Sequence, residues 1–379
     1  MIYFDNAATT AVKPPEVAEA VARAVNSFGG VGRGVHEASL DAGYAVFRAR
    51  QQLARLFGAA DPSCVSFASN ATEALNTAIA GLARPGDKLV TTAASHNSVL
   101  RPLSRLADER GCEVVVVPHD ARGALDYDAL EAALPGARLA AVTHASNLTG
   151  DVYDIARIAR LCRDRGALLV ADAAQTAGVV PIDMGRDGLD VVAFTGHKGL
   201  YGPQGTGLLL CGAEGKPLLY GGTGSMSRLQ DMPPDLPDRL EPGTHNMPGI
   251  AGLLEGIRFV RRQGVETIAA RERQVALRAA RGLESLPGVR VFWDRELRHQ
   301  TGVVSFVTEG RDCEAVGEAL ARRGIALRAG LHCAPLAHRT AGTLKTGTLR
   351  LSTSFFNTPD QADRLVWAVS RVLRENVEL

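Results

Sequence analysis

The chain has 379 residues, too many for one compact core and suited to two domains sharing an interface. Hydrophobic residues make up 46% and charged residues 22%, an ordinary globular balance, and a formal net charge of +1 leaves no electrostatic footprint for nucleic acid or an anionic membrane. No apolar run approaches the roughly 20 residues that span a bilayer, and the N-terminus lacks a basic segment followed by an apolar stretch, so a cytoplasmic protein is expected.

In chain order, 65–67 reads as a strand and 72–82 as a helix, then 88–92 as a strand and 98–109 as a helix. Residues 112–117, with four consecutive valines, read as a buried strand. Another strand at 139–143 precedes a helix over 154–165, and strands follow at 168–171 and 191–194. Strands separated by helices of about ten residues imply βαβ units and a mostly parallel sheet. Composition shifts after residue 212. Residues 221–248 are rich in Gly, Pro, Met and Asp with little periodicity, which predicts a long functional loop. Helical patterning resumes over 250–286. Strands near 289–293 and 303–307, a helix over 313–323 and a last helix over 360–373 predict a smaller α+β domain. The expected division is a large ligand-binding domain over 13–250 and a small domain formed by 1–12 with 251–379. The glycine-rich segments 29–34 and 202–207 do not fit G-x-G-x-x-G after a strand, which disfavours a dinucleotide site.

Six cysteines, Cys64, Cys112, Cys162, Cys211, Cys313 and Cys333, are scattered with no Cys-x-x-Cys pair. A zinc site or a disulfide framework is therefore disfavoured, and a cysteine that matters should act alone as a nucleophile. Cys333 lies between the breakers Gly330 and Pro335, which mark a loop, with His332 adjacent and Arg328 nearby; positive neighbours lower a thiol pKa. The other five look structural. Cys313, at a predicted helix start, ranks second in expected reactivity.

Of five lysines, Lys198 sits in Thr195-Gly196-His197-Lys198-Gly199, just past a buried strand, where α/β sheets bind ligands. A lysine partly desolvated there can form a Schiff base; a plain surface-loop lysine is the alternative. Asp172 ends a strand after four apolar residues, so it needs a cationic partner such as a pyridinium nitrogen, or it caps a helix. Gln175, one turn on, could reach the same ligand. Ser69-Asn70-Ala71-Thr72-Glu73-Ala74 joins a strand to a helix, as an anion site of free N–H groups with a Thr hydroxyl or as a plain capping box. His96 follows a strand and could stack on a planar cofactor or be merely structural.

Together and in this order, these segments resemble the cysteine desulfurases, within the class V aminotransferase-like, fold-type I pyridoxal-phosphate enzymes. The resemblance runs through Tyr3-Phe4-Asp5-Asn6-Ala7-Ala8-Thr9-Thr10, Asn70-Ala71-Thr72-Glu73, Ser146-Asn147, Asp172-Ala173-Ala174-Gln175, His197-Lys198 and Arg350-Leu351-Ser352, nearly the whole chain. It implies a seven-stranded, mostly parallel sheet flanked by helices, with a smaller α+β C-terminal domain. It implies pyridoxal 5'-phosphate as cofactor, with Lys198 as the internal aldimine lysine, Asp172 on the pyridine nitrogen, His96 stacked on the ring and Gln175 on its hydroxyl. Thr72, Thr195 and His197 would hold the phosphate, with Ala71 in the same turn, and Gly243-Thr244 would reach the neighbouring subunit's phosphate in a homodimer. Asn147, beside the cofactor, and Arg350, through a bidentate fork, would hold the substrate carboxylate. His36 and Arg33 would stand at the substrate entrance. Cys333 would take the sulfur of L-cysteine as a persulfide, release L-alanine and pass the sulfur to an acceptor thiol or protein.

The segment at Cys333 is closest to the short-loop group II enzymes but reads Gly-Leu-His-Cys rather than Gly-His-His-Cys. Residue 71 is Ala where relatives place a second hydroxyl, and the tract 340–348 departs from the pattern. Rival readings are a selenocysteine lyase acting on L-selenocysteine, another class V reaction with Cys333 incidental, and a non-catalytic sulfur-relay scaffold. The intact set of Lys198, Asp172, His96 and Arg350 argues against the scaffold.

Overall fold

Apolar strands buried on both faces set the architecture. The structure, a computed structural model, describes residues 1–32, 34–120, 123–294 and 299–375. The first eight strands are β1 (Ile2–Tyr3), β2 (Val65–Ala68), β3 (Lys88–Thr92), β4 (Glu113–Val117), β5 (Ala137–Thr143), β6 (Leu168–Asp172), β7 (Val191–Thr195) and β8 (Gly207–Cys211). Seven of them form one sheet in the order β2-β8-β7-β6-β5-β3-β4. β8 runs antiparallel to β2 and β7, and the other pairs are parallel. Every residue of β7 and β8 is buried, which is why these strands read as continuous apolar runs.

The valine-rich strand is corrected in one respect. It starts at Glu113 and forms the edge of the sheet, paired only with β3, so Glu113 and Val116 are exposed and only Val117 is buried. An edge strand has one neighbour and incomplete cover, whatever its composition.

Helices α1 (Pro15–Ser27), α2 (Glu37–Leu56), α3 (Ala71–Leu82), α4 (Asn97–Arg110), α5 (Tyr127–Ala133), α6 (Ile155–Asp164) and α7 (Met184–Asp187) accompany this sheet. In α6, Ile155, Ile158, Ala159 and Cys162 recur at helical spacing and are buried, while Asp154 accepts the Arg157 N–H as N-cap. The pattern over 250–286 divides into α8 (Met247–Gln263) and α9 (Val265–Glu284) at Gly264, whose φ of +85° breaks the helix. Residues of α8 pack with those of α2 and of the main sheet, so its buried face serves that layer.

A second, four-stranded antiparallel sheet contains β9 (Val289–Phe292) and β10 (Val303–Thr308). After α10 (Cys313–Arg322) and β11 (Ile325–Ala326) come its other strands, β12 (Arg328–Gly330) and β13 (Thr348–Ser352), in the order β12-β13-β10-β9. Between them lies α11 (Pro335–Thr340), and α12 (Pro359–Arg374) closes the described chain. β1 pairs in parallel with β11, and Ile2 and Phe4 bury against Val304, Phe306, Leu349 and Leu351. The N-terminus thus joins the core built by the C-terminal third. Among the described residues no helix is long and apolar enough to cross a membrane.

One close approach shapes the start of α3. A Cβ on Gly207 would lie 2.3 Å from the backbone carbon of Asn70, so only glycine lets β8 pass the α3 cap. Gly207→Ala should cost about 1–3 kcal/mol in urea unfolding, since backbone rather than a flexible side chain must yield. An unchanged midpoint would show that strand and cap separate freely.

Candidate active site

The loops after the parallel strands meet β12 and β13 around a cavity of about 220 Å³. Asp172 and Lys198 reach it from the ends of β6 and β7, as the C-terminal edge of a parallel sheet dictates. Ala71, Thr72, His96, Asn147, Gln175, Thr195, His197, Cys333 and Arg350 line the same cavity. Residues 196–202 form a braced turn: the Thr10 hydroxyl donates to the His197 carbonyl (3.0 Å), and the Tyr201 N–H to that of Lys198 (2.9 Å). Burial, with Arg350 and Arg328 nearby, pulls the Lys198 amine down to about 8, against the opposing pull of Asp172. It is a pocket lysine, not a surface one.

Asp172 caps no helix, because turns follow β6. Its carboxylate accepts the Ala174 N–H at 3.0 Å and is buried, which pushes its pKa up, while Lys198 draws it back. Gln175 donates to the Ala7 carbonyl (3.2 Å). At α3 the cap forms, and the start of the helix still lines the cavity. Asn70 accepts the Glu73 N–H (2.9 Å) and Glu73 accepts the Ser69 N–H (2.7 Å), while Ala71 and Thr72, the first two helical residues, line the cavity. Residues at N1 and N2 carry N–H groups without intrahelical partners. Thr72 Oγ1 lies 2.8 Å from Ser98 Oγ.

His96 has a role the sequence reading missed. It is the N-cap of α4, and its Nδ1 accepts the Ser98 N–H at 3.0 Å. Burial and the charge of Lys198 push its pKa down to about 4, so the ring is neutral near pH 7. Histidine is a rare cap, and Ser98 two residues on was its only local sign.

Arg350 is buried in β13. Nη1 donates to the Asn147 carbonyl (2.9 Å) and Nη2 meets Asp5 Oδ1 at 3.3 Å, so protein partners already engage part of the expected fork. Burial lowers this guanidinium to about 10. Arg350 Nε, Asn147 Oδ1 and His197 Nδ1 are buried without hydrogen-bond partners. With the carboxylate of Asp172, the amine of Lys198 and the α3 N-terminus, this set of donors and acceptors fits a small anionic ligand carrying a protonated ring nitrogen, a phosphate and a carbonyl carbon. Pyridoxal phosphate has those features.

Cys333 is exposed, and it follows His332 in a turn in which both adopt left-handed backbone, with φ of +57° and +49°. Their carbonyls are pinned: Asn97 N–H donates to Cys333 (2.8 Å) and Asn147 Nδ2 to His332 (2.6 Å). Residues 328–330, read as loop, are strand β12; the loop begins at Leu331. His332 is corrected as a positive neighbour. Burial pushes it down to about 2, so it brings no charge to the thiol, and Arg350 and Arg328 are the cations on the same cavity. The tract 340–348 holds this turn from behind. Thr348 Oγ1 lies 2.9 Å from His332 Nε2, and Thr343 Oγ1 lies 2.8 Å from His338 Nδ1. Cys313 is structural, as expected, but its second rank in reactivity is corrected. It is buried, donates to the Thr346 carbonyl (3.0 Å), and burial raises its thiol, so it is a structural cysteine.

Other expected site residues are not brought in by this chain. His36 is exposed at the α2 N-cap, outside the cavity lining. Arg33 lies outside the described residues. Gly243 and Thr244 line a separate cavity of about 140 Å³ with Ser69, Glu73 and Asn246. Among the described residues no cluster of three His, Cys, Asp or Glu side chains could hold a metal ion.

The aminotransferase class-V family model matches residues 2–365. A probable cysteine desulfurase of Pyrococcus abyssi is 32% identical over 390 residues, 99% of this chain and 94% of that one. This chain belongs to the cysteine desulfurase family. The apo structure of the cysteine desulfurase from Thermococcus onnurineus NA1 superposes with a TM-score of 0.92 at 33% identity, covering 98% of this chain and 94% of that chain. A cysteine desulfurase of Escherichia coli in an S-sulfonic acid form gives 0.87 at 31%, with the same coverage. The fold is therefore fold-type I, and the family is one of pyridoxal-phosphate enzymes.

In this desulfurase-family chain, Thr348→Val should strip the buried His332 ring of its hydroxyl partner and cost about 1–3 kcal/mol. The Cys333 turn should loosen, and alkylation of Cys333 should accelerate. Unaltered stability and alkylation would mean that Asn97 and Asn147 alone hold the turn.

Proposed function

We propose that the protein is a pyridoxal-phosphate-dependent cysteine desulfurase that converts L-cysteine to L-alanine and carries the sulfur on Cys333. The observation that supports this most is the convergence of the Lys198 amine, the buried Arg350 and the exposed Cys333 on one cavity. Bound there, the cofactor would supply an aldehyde for an amine and a ring that draws electrons from the substrate α-carbon. Asp172 would pair with its ring nitrogen, Gln175 would meet its hydroxyl and His96 its face. Thr72, Thr195, His197 and the N–H groups of α3 would hold the phosphate.

The residues then divide the work. Arg350 and Asn147 hold the substrate carboxylate and so fix which bond at the α-carbon faces Lys198. Lys198, with its amine drawn down to about 8, is part-deprotonated near neutrality and takes the α-proton. The Cys333 thiolate attacks the substrate sulfur: an S–S bond forms, the C–S bond breaks, and carbon keeps that electron pair and takes a proton. Alanine leaves, and the persulfide passes its outer sulfur to an acceptor thiol. The pinned turn at Cys333 suits the short-loop type, since the sulfur is delivered from a fixed position.

A homodimer is part of this reading. Leu40, Tyr44 and Phe47 lie at helical spacing on α2 and are more than half exposed, an apolar stripe that suits a second copy. In that dimer Gly243 and Thr244, away from this chain's cavity, would serve the neighbouring subunit's phosphate.

The purified protein should absorb at about 400 nm through Lys198, and Lys198→Ala should lose that band. With L-cysteine and a reductant, sulfide and alanine should appear together. Cys333→Ala should lower sulfide release by about 100-fold or more while keeping the band. Equal release would remove Cys333 from the mechanism, and activity surviving only on L-selenocysteine would make the protein a selenocysteine lyase.

A further inference from the structure

The starts of α3 and α4 meet at the cavity wall through two hydroxyl groups. Thr72, the second residue of α3, and Ser98, the second residue of α4, both line the cavity, as does the α4 cap His96. Thr72 Oγ1 lies 2.8 Å from Ser98 Oγ, and Ser98 Oγ lies 2.9 Å from His96 Nδ1. Ser98 is buried. The cap does not need its hydroxyl, because His96 Nδ1 takes the Ser98 backbone N–H at 3.0 Å. Ser98→Ala would keep that bond and lose only the bridge to Thr72.

Counting protons decides what the hydroxyl does. Nδ1 accepts an N–H, so it carries no proton, and the neutral ring is protonated at Nε2. Only Ser98 can then supply a proton between its oxygen and Nδ1. The bond between the two hydroxyls must use the proton of Thr72. With both bonds made, donation runs from Thr72 to Ser98 to His96, and Thr72 turns only lone pairs to the cavity. An anion at the start of α3 needs the Thr72 proton for itself. Thr72 then donates to the anion, Ser98 donates back to Thr72, and Nδ1 keeps its N–H but loses the hydroxyl.

We propose that Ser98 is a positioning residue, a hydroxyl with two orientations that ties a phosphate group at the α3 start to the hydrogen bonding of the His96 ring. The proposal rests on the reading of Thr72 as a phosphate contact and of His96 as the residue on the cofactor face. No covalent bond is made or broken; two O–H groups rotate. The two arrangements differ in what the ring can do. A donor at Nδ1 disfavours protonation of the ring, so His96 is the weaker base without phosphate and the stronger one with it. A ligand that lacks a phosphate leaves the hydroxyls in the first arrangement, which makes His96 responsive to that group. Burial and the charges of Lys198, Arg350, Arg101 and Arg328 keep the ring neutral near neutral pH, so the difference can be read without titrating it.

The test is nitrogen NMR of the full-length chain, freed of bound carbonyl compounds and carrying isotope-labelled histidine rings, near neutral pH with inorganic phosphate added. His96→Gln assigns the His96 signal. Broadening of the phosphorus line that pyridoxal phosphate reverses reports phosphate at this site. Losing a donor moves an unprotonated ring nitrogen to higher shift. In wild type, phosphate should therefore move His96 Nδ1 to higher shift. In Ser98→Ala that nitrogen should start at the higher position and move less. Thr72→Val should hold it at the lower position with phosphate present, since nothing then draws the Ser98 proton away. This variant carries the test if Ser98→Ala loses its cooperative thermal transition. Phosphate that binds yet leaves Nδ1 unmoved, or moves it equally in wild type and Ser98→Ala, would overturn the proposal and leave the phosphate reading standing. Phosphate that pyridoxal phosphate does not displace would defeat that reading, and the coupling with it.

Discussion

The site depends on a guanidinium that is never in water. Arg350 is 2% exposed, and burying a cation is tolerable only where most of its donors are met. Two partners come from distant parts of the chain: Asp5, beyond β1, and the Asn147 carbonyl, beyond β5. Neighbouring contacts extend the joint, since Asn6 donates to the Ser352 carbonyl at 2.9 Å and Asn357 to that of Tyr3 at 3.0 Å. Satisfying one side chain therefore brings the N-terminal segment, the main sheet and the second sheet to a common edge. The cavity is the space left where they meet.

That joint also sets the electrostatics. Arg328 lies directly across from Arg350 in the β12–β13 ladder, and opposed like charges are unfavourable without an anion nearby. Together with burial, these charges lower the Lys198 amine and hold His96 neutral. Asp172 is the lining carboxylate in an otherwise cationic cavity. Such a field favours a ligand that is anionic at one end and protonated at the ring beside Asp172, and it leaves a lysine able to act as a base.

How much of this was legible follows from where each signal lives. Asp172 and Lys198 could be placed because apolar runs announce buried strands, and a polar residue at the end of such a run has few structural reasons to be there. Thr72 was legible as part of a capped helix start, and that start lines the cavity. β4 was misjudged because four valines report hydrophobicity but not the number of neighbours a strand has. Cys313 and His332 were misjudged because reactivity depends on burial, which a helix start or a neighbouring histidine does not reveal. The tract 340–348 offered no motif. Its work lies in two threonine hydroxyls that meet histidine rings, and side-chain pairs of that kind carry no period. Lengths of loop and helix before residue 65 carried too weak a pattern to read, so α1 and α2 emerged only from the structure.

Glu272 shows the same limit most sharply, because in sequence it is one acid among the charged residues of an amphipathic helix. Only the fold turns it inward, and that has a thermodynamic sign. Its carboxyl is raised from about 4.5 to about 8 on folding. The native state therefore holds a proton that the unfolded chain releases. Its contribution to stability is complete below the unfolded value and is lost at about 1.4 kcal/mol per pH unit as pH rises toward the folded value. The fold thus forgoes stability across the neutral range by keeping an ionisable group where an amide would make the same hydrogen bond. That hydrogen bond comes from the buried Tyr201 hydroxyl at 3.2 Å, and the Tyr201 N–H closes the turn that carries Lys198, so the acid is kept for a joint between α9 and that turn.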